Sequence, residues 1–112
     1  MVARHEGFEA VDGESVRAED AREVLVGAEL IYDDGAVQRF MPDGTTLYVE
    51  AGRETYGEWS VEDDGSYVSF WPPSFRARYS LKWRVADKVV GLTFIGRGDG
   101  SVFSGRFRAS TT

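Results

Sequence analysis

Two pairs of adjacent aspartates are the residues in this sequence best suited to general acid–base chemistry. Asp33-Asp34 and Asp63-Asp64 each place two titratable groups side by side, and carboxylates can donate and accept protons in catalysis. Each pair is followed directly by glycine, however, and Asp-Gly tolerates the positive φ angles of tight hairpin turns. We therefore interpret both pairs as turns rather than as catalytic residues.

Other catalytic and metal-binding patterns do not occur in the sequence. There is no cysteine, no Gly-x-Ser-x-Gly motif and one histidine, His5, so thiolate chemistry is excluded and a Ser-His pair would depend on the N-terminus. The glycine-rich segment 96–100 precedes a predicted strand and lacks the helix N-terminus that binds phosphate. We expect no catalytic residue, no metal and no cofactor, and an enzyme is the least favoured function class.

Aromatic residues are numerous, with three Trp, five Tyr and seven Phe among 112 residues. Several of them fall on positions that we predict to face a core: Trp59, Phe70, Tyr79, Trp83, Phe94, Phe103 and Phe107. Such rings either fill the core or form the walls of a pocket for a small, partly apolar ligand. The sequence leaves both alternatives open.

Arg39 is the candidate charged contact of such a pocket. It lies between Val37 and Met41 on one strand face, and an inward-facing guanidinium would require an anion, here one supplied by the ligand. The alternative is that Arg39 pairs with a local carboxylate at the rim or extends into solvent. The predicted ligand-binding residues are therefore Trp59, Phe70, Tyr79, Trp83, Phe94 and Arg39.

The elements that must position these residues are a short helix and a series of strands. Good helix formers with acids in the first turn predict a helix over 18–26, ending at Gly27. From Glu29 onward the hydrophobic period is two, and turn sequences recur, among them Asp34-Gly35, Asp43-Gly44 and Asp87-Lys88. The predicted strands are 29–33, 36–41, 45–51, 54–62, 66–71, 76–85, 88–97 and 101–109.

Alternation along these strands predicts which side chains face inward. The inward positions are Leu47, Val49, Ala51, Thr55, Gly57, Trp59, Val61, Val68, Phe70, Ala77, Tyr79, Leu81, Trp83, Val85, Val90, Leu92, Phe94, Phe103 and Phe107. Three glycines inside strands, Gly57, Gly91 and Gly105, predict bends or bulges.

The fold predicted from these elements is all-β, because eight antiparallel strands joined by short turns remove their exposed edges by closing. We expect a single eight-stranded up-and-down barrel with one short N-terminal helix that covers an end. Residues 1–17 are predicted to be a flexible N-terminal arm, and residues 18–112 to be the single barrel domain.

A series of short motifs between Leu25 and Trp71 carries a family resemblance. These motifs are Leu25-Val26-Gly27, an Asp-Gly hairpin, Phe40-Met41-Pro42-Asp43-Gly44-Thr45, Gly57-Glu58-Trp59, Asp64-Gly65 and Trp71-Pro72. The chain resembles small uncharacterised bacterial β-barrel domains of the lipocalin-like (calycin-like) type. The resemblance implies a short helix followed by an up-and-down barrel, and no particular activity.

The negative net charge limits which binding partners are expected. A net charge of −6 disfavours nucleic acid and anionic membranes as partners, because both are negatively charged. Acidic residues of one strand, Glu54, Glu58 and Glu62, complement the basic face Arg76, Arg78, Lys82 and Arg84. These two charged faces either form ion pairs that stabilise the sheet within one chain, or they bind each other between two copies in a homodimer.

Taken together, the sequence predicts a non-catalytic protein that binds a small hydrophobic or anionic ligand inside a barrel. The alternative is a structural or protein-interaction domain with a filled core that acts as a homodimer. No stretch approaches the about 18 apolar residues of a membrane helix, and no signal-peptide pattern is visible. We therefore expect a cytoplasmic protein, or a periplasmic one if the chain is a mature fragment.

Overall fold

Ten strands and one helix make up residues 2–5, 7–86 and 89–108, the part of the chain that this computed structural model describes. Strands β1 (Val2–His5) and β2 (Phe8–Val11) form a separate hairpin and precede the helix α1 (Ala18–Leu25). The remaining strands are β3 (Glu29–Tyr32), β4 (Val37–Phe40), β5 (Thr45–Glu50), β6 (Arg53–Val61), β7 (Tyr67–Trp71), β8 (Phe75–Val85), β9 (Val89–Gly96) and β10 (Val102–Phe107).

Strands β3 to β10 form one closed antiparallel barrel. Each strand pairs with the next along the chain, and β10 pairs with β3 through Gly105 opposite Tyr32 and Phe107 opposite Leu30. This confirms the predicted all-β fold, an eight-stranded up-and-down barrel with one short helix. The strands agree with their predicted ranges to within one or two residues at each end. The turn predicted at Asp87-Lys88 lies outside the described residues.

The Asp-Gly pairs form hairpin turns, as predicted. In each, the aspartate side chain accepts a hydrogen bond from the backbone N–H two residues later, at 3.0 Å for Asp34, 2.9 Å for Asp43 and 2.9 Å for Asp64. The glycine that follows has a φ near +90° in all three cases, a conformation that glycine adopts without a steric penalty. These turns set the register of the strands on either side.

Helix α1 closes one end of the barrel. Its Ala21, Val24 and Leu25 side chains are fully buried and join the core formed by the strands. The chain leaves the helix at Gly27, whose N–H donates to the carbonyl of Phe40 in β4 at 2.8 Å. The helix therefore acts as a lid over this end, as the sequence predicted.

Residues 10–16, within the segment predicted as a flexible arm, lie against β8. Strand β8 is paired with β7 only up to Tyr79, so its later residues leave one edge without a partner strand. The N–H of Gly13 donates to the carbonyl of Trp83 at 2.9 Å, and the N–H of Val16 donates to Leu81 at 3.0 Å. These bonds cover the free edge. How mobile residues 1–17 are stays a prediction.

The inward faces follow the prediction on β6 and β8 but not on β5 and β7. On β5 the interior side chains are Thr46 and Tyr48, whereas Leu47 pairs with Arg39 on the outer face. The reason is that both faces are covered, since Leu47 is only 7% exposed although it points outward. Alternation cannot identify the inner face of such a strand.

Strand β7 shows the same reversal. Its interior residues are Tyr67, Ser69 and Trp71, whereas Val68 and Phe70 point outward, contrary to the prediction. Val68 is nevertheless 6% exposed, so again both faces of the strand are covered.

Gly91, one of the three in-strand glycines, lies where the backbones of β9 and β10 approach closely. A Cβ on Gly91 of β9 would collide with the carbonyl oxygen of Gly105 in β10. A register shift lies opposite, between Arg84 and Val85, as predicted for a glycine of this kind.

Candidate ligand-binding cavity

A cavity of about 300 Å³ opens at the end of the barrel away from α1. Its aromatic lining consists of Tyr32, Tyr48, Tyr67, Trp71, Tyr79, Phe94 and Phe103, and its polar lining of Asp34, Gln38, Thr55 and Ser69. The helix end is filled instead, by large buried side chains that include Leu30, Phe40, Trp59 and Leu92. The barrel is therefore packed at one end and hollow at the other.

The aromatic walls are held by contacts between neighbouring rings. Tyr48 packs on Trp71 with ring centroids 6.1 Å apart, and on the other side Tyr79 packs on Phe103 at 5.9 Å. Deeper in the barrel, Tyr67 meets Phe94 edge to face at 5.3 Å. Edge-to-face pairs of this kind are favourable, so the walls are preformed.

Gln38 of β4 organises the polar floor of the cavity. Its amide nitrogen donates to the hydroxyls of Thr46 at 2.9 Å and Tyr67 at 3.2 Å, and its amide oxygen accepts from Tyr32 at 2.6 Å. Thr46 in turn donates to the carbonyl of Arg39 at 2.7 Å. Because a buried amide is costly unless it is hydrogen-bonded, this network fixes the arrangement of four strands, β3, β4, β5 and β7.

Two hydroxyl groups of the lining are available to a ligand. The Tyr67 hydroxyl accepts from Gln38 and so keeps its own proton for donation. Ser69 is 3% exposed and lines the cavity, and its hydroxyl has no hydrogen-bond partner among the described residues. Both groups lie on β7 and face the same space.

The tyrosines of the lining stay protonated at neutral pH. Burial raises the pKa of Tyr32 and Tyr67 well above the usual value for tyrosine, and it raises that of Tyr79 in the same direction. Burial, with a contribution from Glu50, raises the pKa of Tyr48 to about 12. These phenols therefore act as hydrogen-bond donors and as poor general bases.

Two of the six predicted site residues, Tyr79 and Phe94, line the cavity. Trp59 and Trp83 are buried in the packed part of the barrel, 5% and 4% exposed. Trp59 donates from its indole nitrogen to the carbonyl of Met41 at 2.9 Å, and the Arg22 guanidinium lies over its ring. These tryptophans are core residues rather than pocket walls.

The other two predicted site residues, Phe70 and Arg39, lie on the outer surface. The Phe70 ring is covered by the Arg76 guanidinium, whose carbon lies 5.2 Å from the ring centroid. The Arg39 side chain is 59% exposed and donates from Nε to Glu29 at 2.9 Å. The inward position predicted for Phe70 was wrong, because the inner residues of β7 are Ser69 and Trp71. For Arg39, the structure has the alternative, a local carboxylate partner, and the inner residue of β4 is Gln38.

Sequence reasoning missed most of the polar lining. Asp34 is a turn residue, as predicted, and it also lines the mouth of the cavity. Gln38 lies between Val37 and Arg39 and gives no hydrophobic signal of its inward position. A buried glutamine is recognisable only once its partners on three strands are known.

The second aspartate pair and the glycine-rich segment have structural roles. A hydrogen bond from the backbone N–H of Ser66, supported by the Ser66 side chain and by Arg97, lowers the pKa of Asp64 to about 2. Arg97 pairs with Asp64 at 3.0 Å and also donates to the Ser66 hydroxyl at 2.6 Å. The arginine of segment 96–100 therefore has a carboxylate partner within the chain.

The basic face of β8 is also partnered within the chain. Arg78 pairs with Glu62 at 2.7 Å, and Arg84 pairs with Asp33 at 3.3 Å. Lys82 donates to the Ser15 hydroxyl at 2.9 Å. Of the two explanations for the complementary charges, these contacts match the intramolecular one.

No family model, no curated protein and no solved structure matches this chain. The described part of the chain contains no helix whose length and hydrophobicity would let it cross a membrane. Within the same residues, no group of three or more His, Asp or Glu side chains is placed to hold a metal ion. The lipocalin-like resemblance stays a prediction.

Proposed function

We propose that this protein is a non-catalytic binding protein that takes a small, partly apolar molecule into the open end of its barrel. The observation that carries the proposal is the cavity of about 300 Å³, whose aromatic walls surround a hydrogen-bonded polar floor. Ligand sites are typically apolar clefts with a few convergent polar groups, and this cavity has that composition.

The cavity volume limits the ligand to a small molecule. Ligand pockets range from about 300 to about 1,000 Å³, so this one lies at the lower end. It suits a compound built on one or two rings rather than a long lipid chain. Such a ligand would stack on Tyr48, Trp71 or Phe94 and accept a hydrogen bond from Tyr67 or Ser69.

Preformed walls support binding rather than catalysis. Because the rings and Gln38 already hold one another, a ligand would order few side chains on entry, which reduces the entropic cost of binding. The phenols with raised pKa are poor bases at neutral pH.

A cytoplasmic location, or a periplasmic one for a mature fragment, stays a prediction.

The alternative function, a filled-core homodimer, has weaker support. One end of the barrel is hollow, and Arg78, Lys82 and Arg84 have partners within the chain. The hypothesis of an anionic ligand is also weakened, because Arg39, its predicted charged contact, lies outside the cavity.

A variant that fills the cavity tests the proposal. Ser69→Leu places an isobutyl group in the hollow end, and Ser60→Leu makes the same change on the outer face of β6. A library of one- and two-ring compounds is screened by thermal unfolding, and hits are confirmed by NMR shift mapping. We expect hits on the wild type and on Ser60→Leu, with shifts at Tyr48, Trp71 and Tyr79, and none on Ser69→Leu.

Two results would contradict the proposal. One is a screen in which no compound raises the unfolding temperature of the wild type. The other is a set of hits that bind Ser69→Leu as tightly as wild type, since the ligand would then lie elsewhere.

A further inference from the structure

We infer that the cavity takes an organic cation, an ammonium-type group on a small apolar or aromatic body, with the Asp34 carboxylate as its counter-ion. The inference rests on the proposed function and names the ligand class of the same site. Two observations carry it: a carboxylate at the mouth that has no cationic partner in the described part of the chain, and aromatic faces around the space next to it.

Asp34 and its neighbour Asp33 have opposite surroundings. Asp33 points to the outer surface and pairs with Arg84 at 3.3 Å. Asp34 lines the cavity, and one of its carboxylate oxygens accepts the Ala36 N–H at 3.0 Å. Its other oxygen has no partner among the described residues, and no ion pair within this part of the chain includes Asp34.

The described lining of the cavity contains no positively charged side chain that would neutralise Asp34. Among the described residues that line the cavity, none is Lys, Arg or His. Arg97 is held by Asp64, Arg76 lies over Phe70 outside the barrel, and Arg53 does not line the cavity. An anionic ligand would therefore enter beside a carboxylate with no compensating charge.

Further carboxylates add to the negative field at the mouth. Asp99 lies close enough to Tyr79 to contribute to the raised pKa of that tyrosine, and Glu50 acts in the same way on Tyr48. The negative charge of Asp34 itself contributes to the raised pKa of Tyr32 and of Tyr48. These effects support the geometric argument, because the same field that disfavours a phenolate favours a cation.

Aromatic rings line the space that the cation would occupy. Tyr48 and Trp71 form one wall, and Tyr79 and Phe103 form another. The face of an aromatic ring attracts a cation, and methylated ammonium groups are recognised in aromatic cages of this kind. The apolar body of the ligand would then extend toward Phe94, with Tyr67 at the floor.

The test compares two probes of one shape, phenyltrimethylammonium and its neutral isostere tert-butylbenzene, and adds benzoate as a one-ring anion. Binding is measured by NMR titration with the wild type, with Asp34→Asn and with Asp33→Asn. Asparagine keeps the side-chain oxygen that accepts the Ala36 N–H, so the turn is retained. Asp33→Asn makes the same change of net charge outside the cavity.

We expect the cation to bind on the order of tenfold more tightly than the neutral isostere, with benzoate weakest. Asp34→Asn should remove most of this preference, and Asp33→Asn should keep it. Added salt should weaken the binding of the cation, because salt screens the attraction between charges, and should leave the binding of the neutral isostere unchanged.

The outcomes separate the inference from the function on which it rests. If tert-butylbenzene or benzoate binds as tightly as the cation, or if Asp34→Asn keeps the preference, the cation inference is overturned and the binding function stands. If phenyltrimethylammonium does not bind to the wild type at millimolar concentration, the cation inference is overturned, and the compound screen by thermal unfolding decides the binding function independently.

Discussion

Gly57 of β6 and Trp71 of β7 lie so close together that a Cβ at residue 57 would be 2.5 Å from the indole ring. The same Cβ would be 2.7 Å from the carbonyl oxygen of Phe70. Glycine at this position therefore lets the Trp71 ring lie across the barrel interior and form one wall of the cavity.

Gly57→Ala should destabilise the protein by about 1 to 3 kcal/mol, because the added methyl group meets a large ring and a backbone oxygen that cannot both move away. Urea unfolding measures the free-energy change. Ser60→Ala, on the outer face of the same strand, is the control and should stay within about 0.5 kcal/mol of wild type. Equal effects of the two substitutions would mean that Trp71 does not depend on a glycine at 57.

Gln38→Leu should lower the free energy of unfolding by more than the loss of any single hydrogen bond in the polar floor of the cavity. It leaves the buried hydroxyls of Tyr32 and Tyr67 without their partner, and each unsatisfied group costs about 1 to 3 kcal/mol. Tyr67→Phe removes only one bond and should cost about 1 kcal/mol. Chemical denaturation of both variants checks the order. The network account is wrong if Gln38→Leu proves to be the milder change.

Ligand binding should be reported by Trp71 and not by the other two tryptophans. Trp71 lines the cavity, whereas Trp59 and Trp83 are buried in the packed part of the barrel. A bound ligand should therefore change the fluorescence of the wild type and of Trp59→Phe, and the change should fall by most of its amplitude in Trp71→Phe. A full response in Trp71→Phe would place the ligand elsewhere.

Glu29 links stability to pH at the seam where the barrel closes. It accepts from Arg39 on β4 at 2.9 Å and from Arg108, just after β10, at 2.9 Å. The hydrogen bond from Arg108, with a further contribution from Arg39, lowers the pKa of Glu29 below its usual 4.5. A carboxylate with a lowered folded-state pKa stabilises the protein above the unfolded-state pKa and loses that effect as the pH falls.

Glu29→Gln should therefore be less stable than wild type at pH 7, and the difference should shrink as the pH falls below 4.5. Urea midpoints between pH 7 and pH 3 provide the measurement. Glu58→Gln, which removes a carboxylate from the outer face of β6, is the control for net charge. A difference between wild type and Glu29→Gln that persists at pH 3 would contradict the role assigned to this ion pair.

Local sequence determined the elements of this protein and most of their boundaries. Asp34-Gly35, Asp43-Gly44 and Asp64-Gly65 end strands because their turn geometry depends on neighbours within two residues. The inner face of β8 was equally predictable, because Arg76, Arg78, Lys82 and Arg84 alternate with apolar residues and must face water.

Only the tertiary structure decided the faces of β5 and β7 and the composition of the cavity. Leu47 and Val68 are buried although they point outward. The apolar residues of β5 and β7 therefore do not all lie on the inner face, and their positions in the sequence do not identify that face. The side chain of Asp34 faces the cavity and that of Asp33 faces Arg84 because barrel closure brings different strands to the two sides of one turn. One end of the barrel is filled by α1 and by buried side chains of the strands, whereas the other end is hollow. That difference depends on contacts between residues distant in sequence.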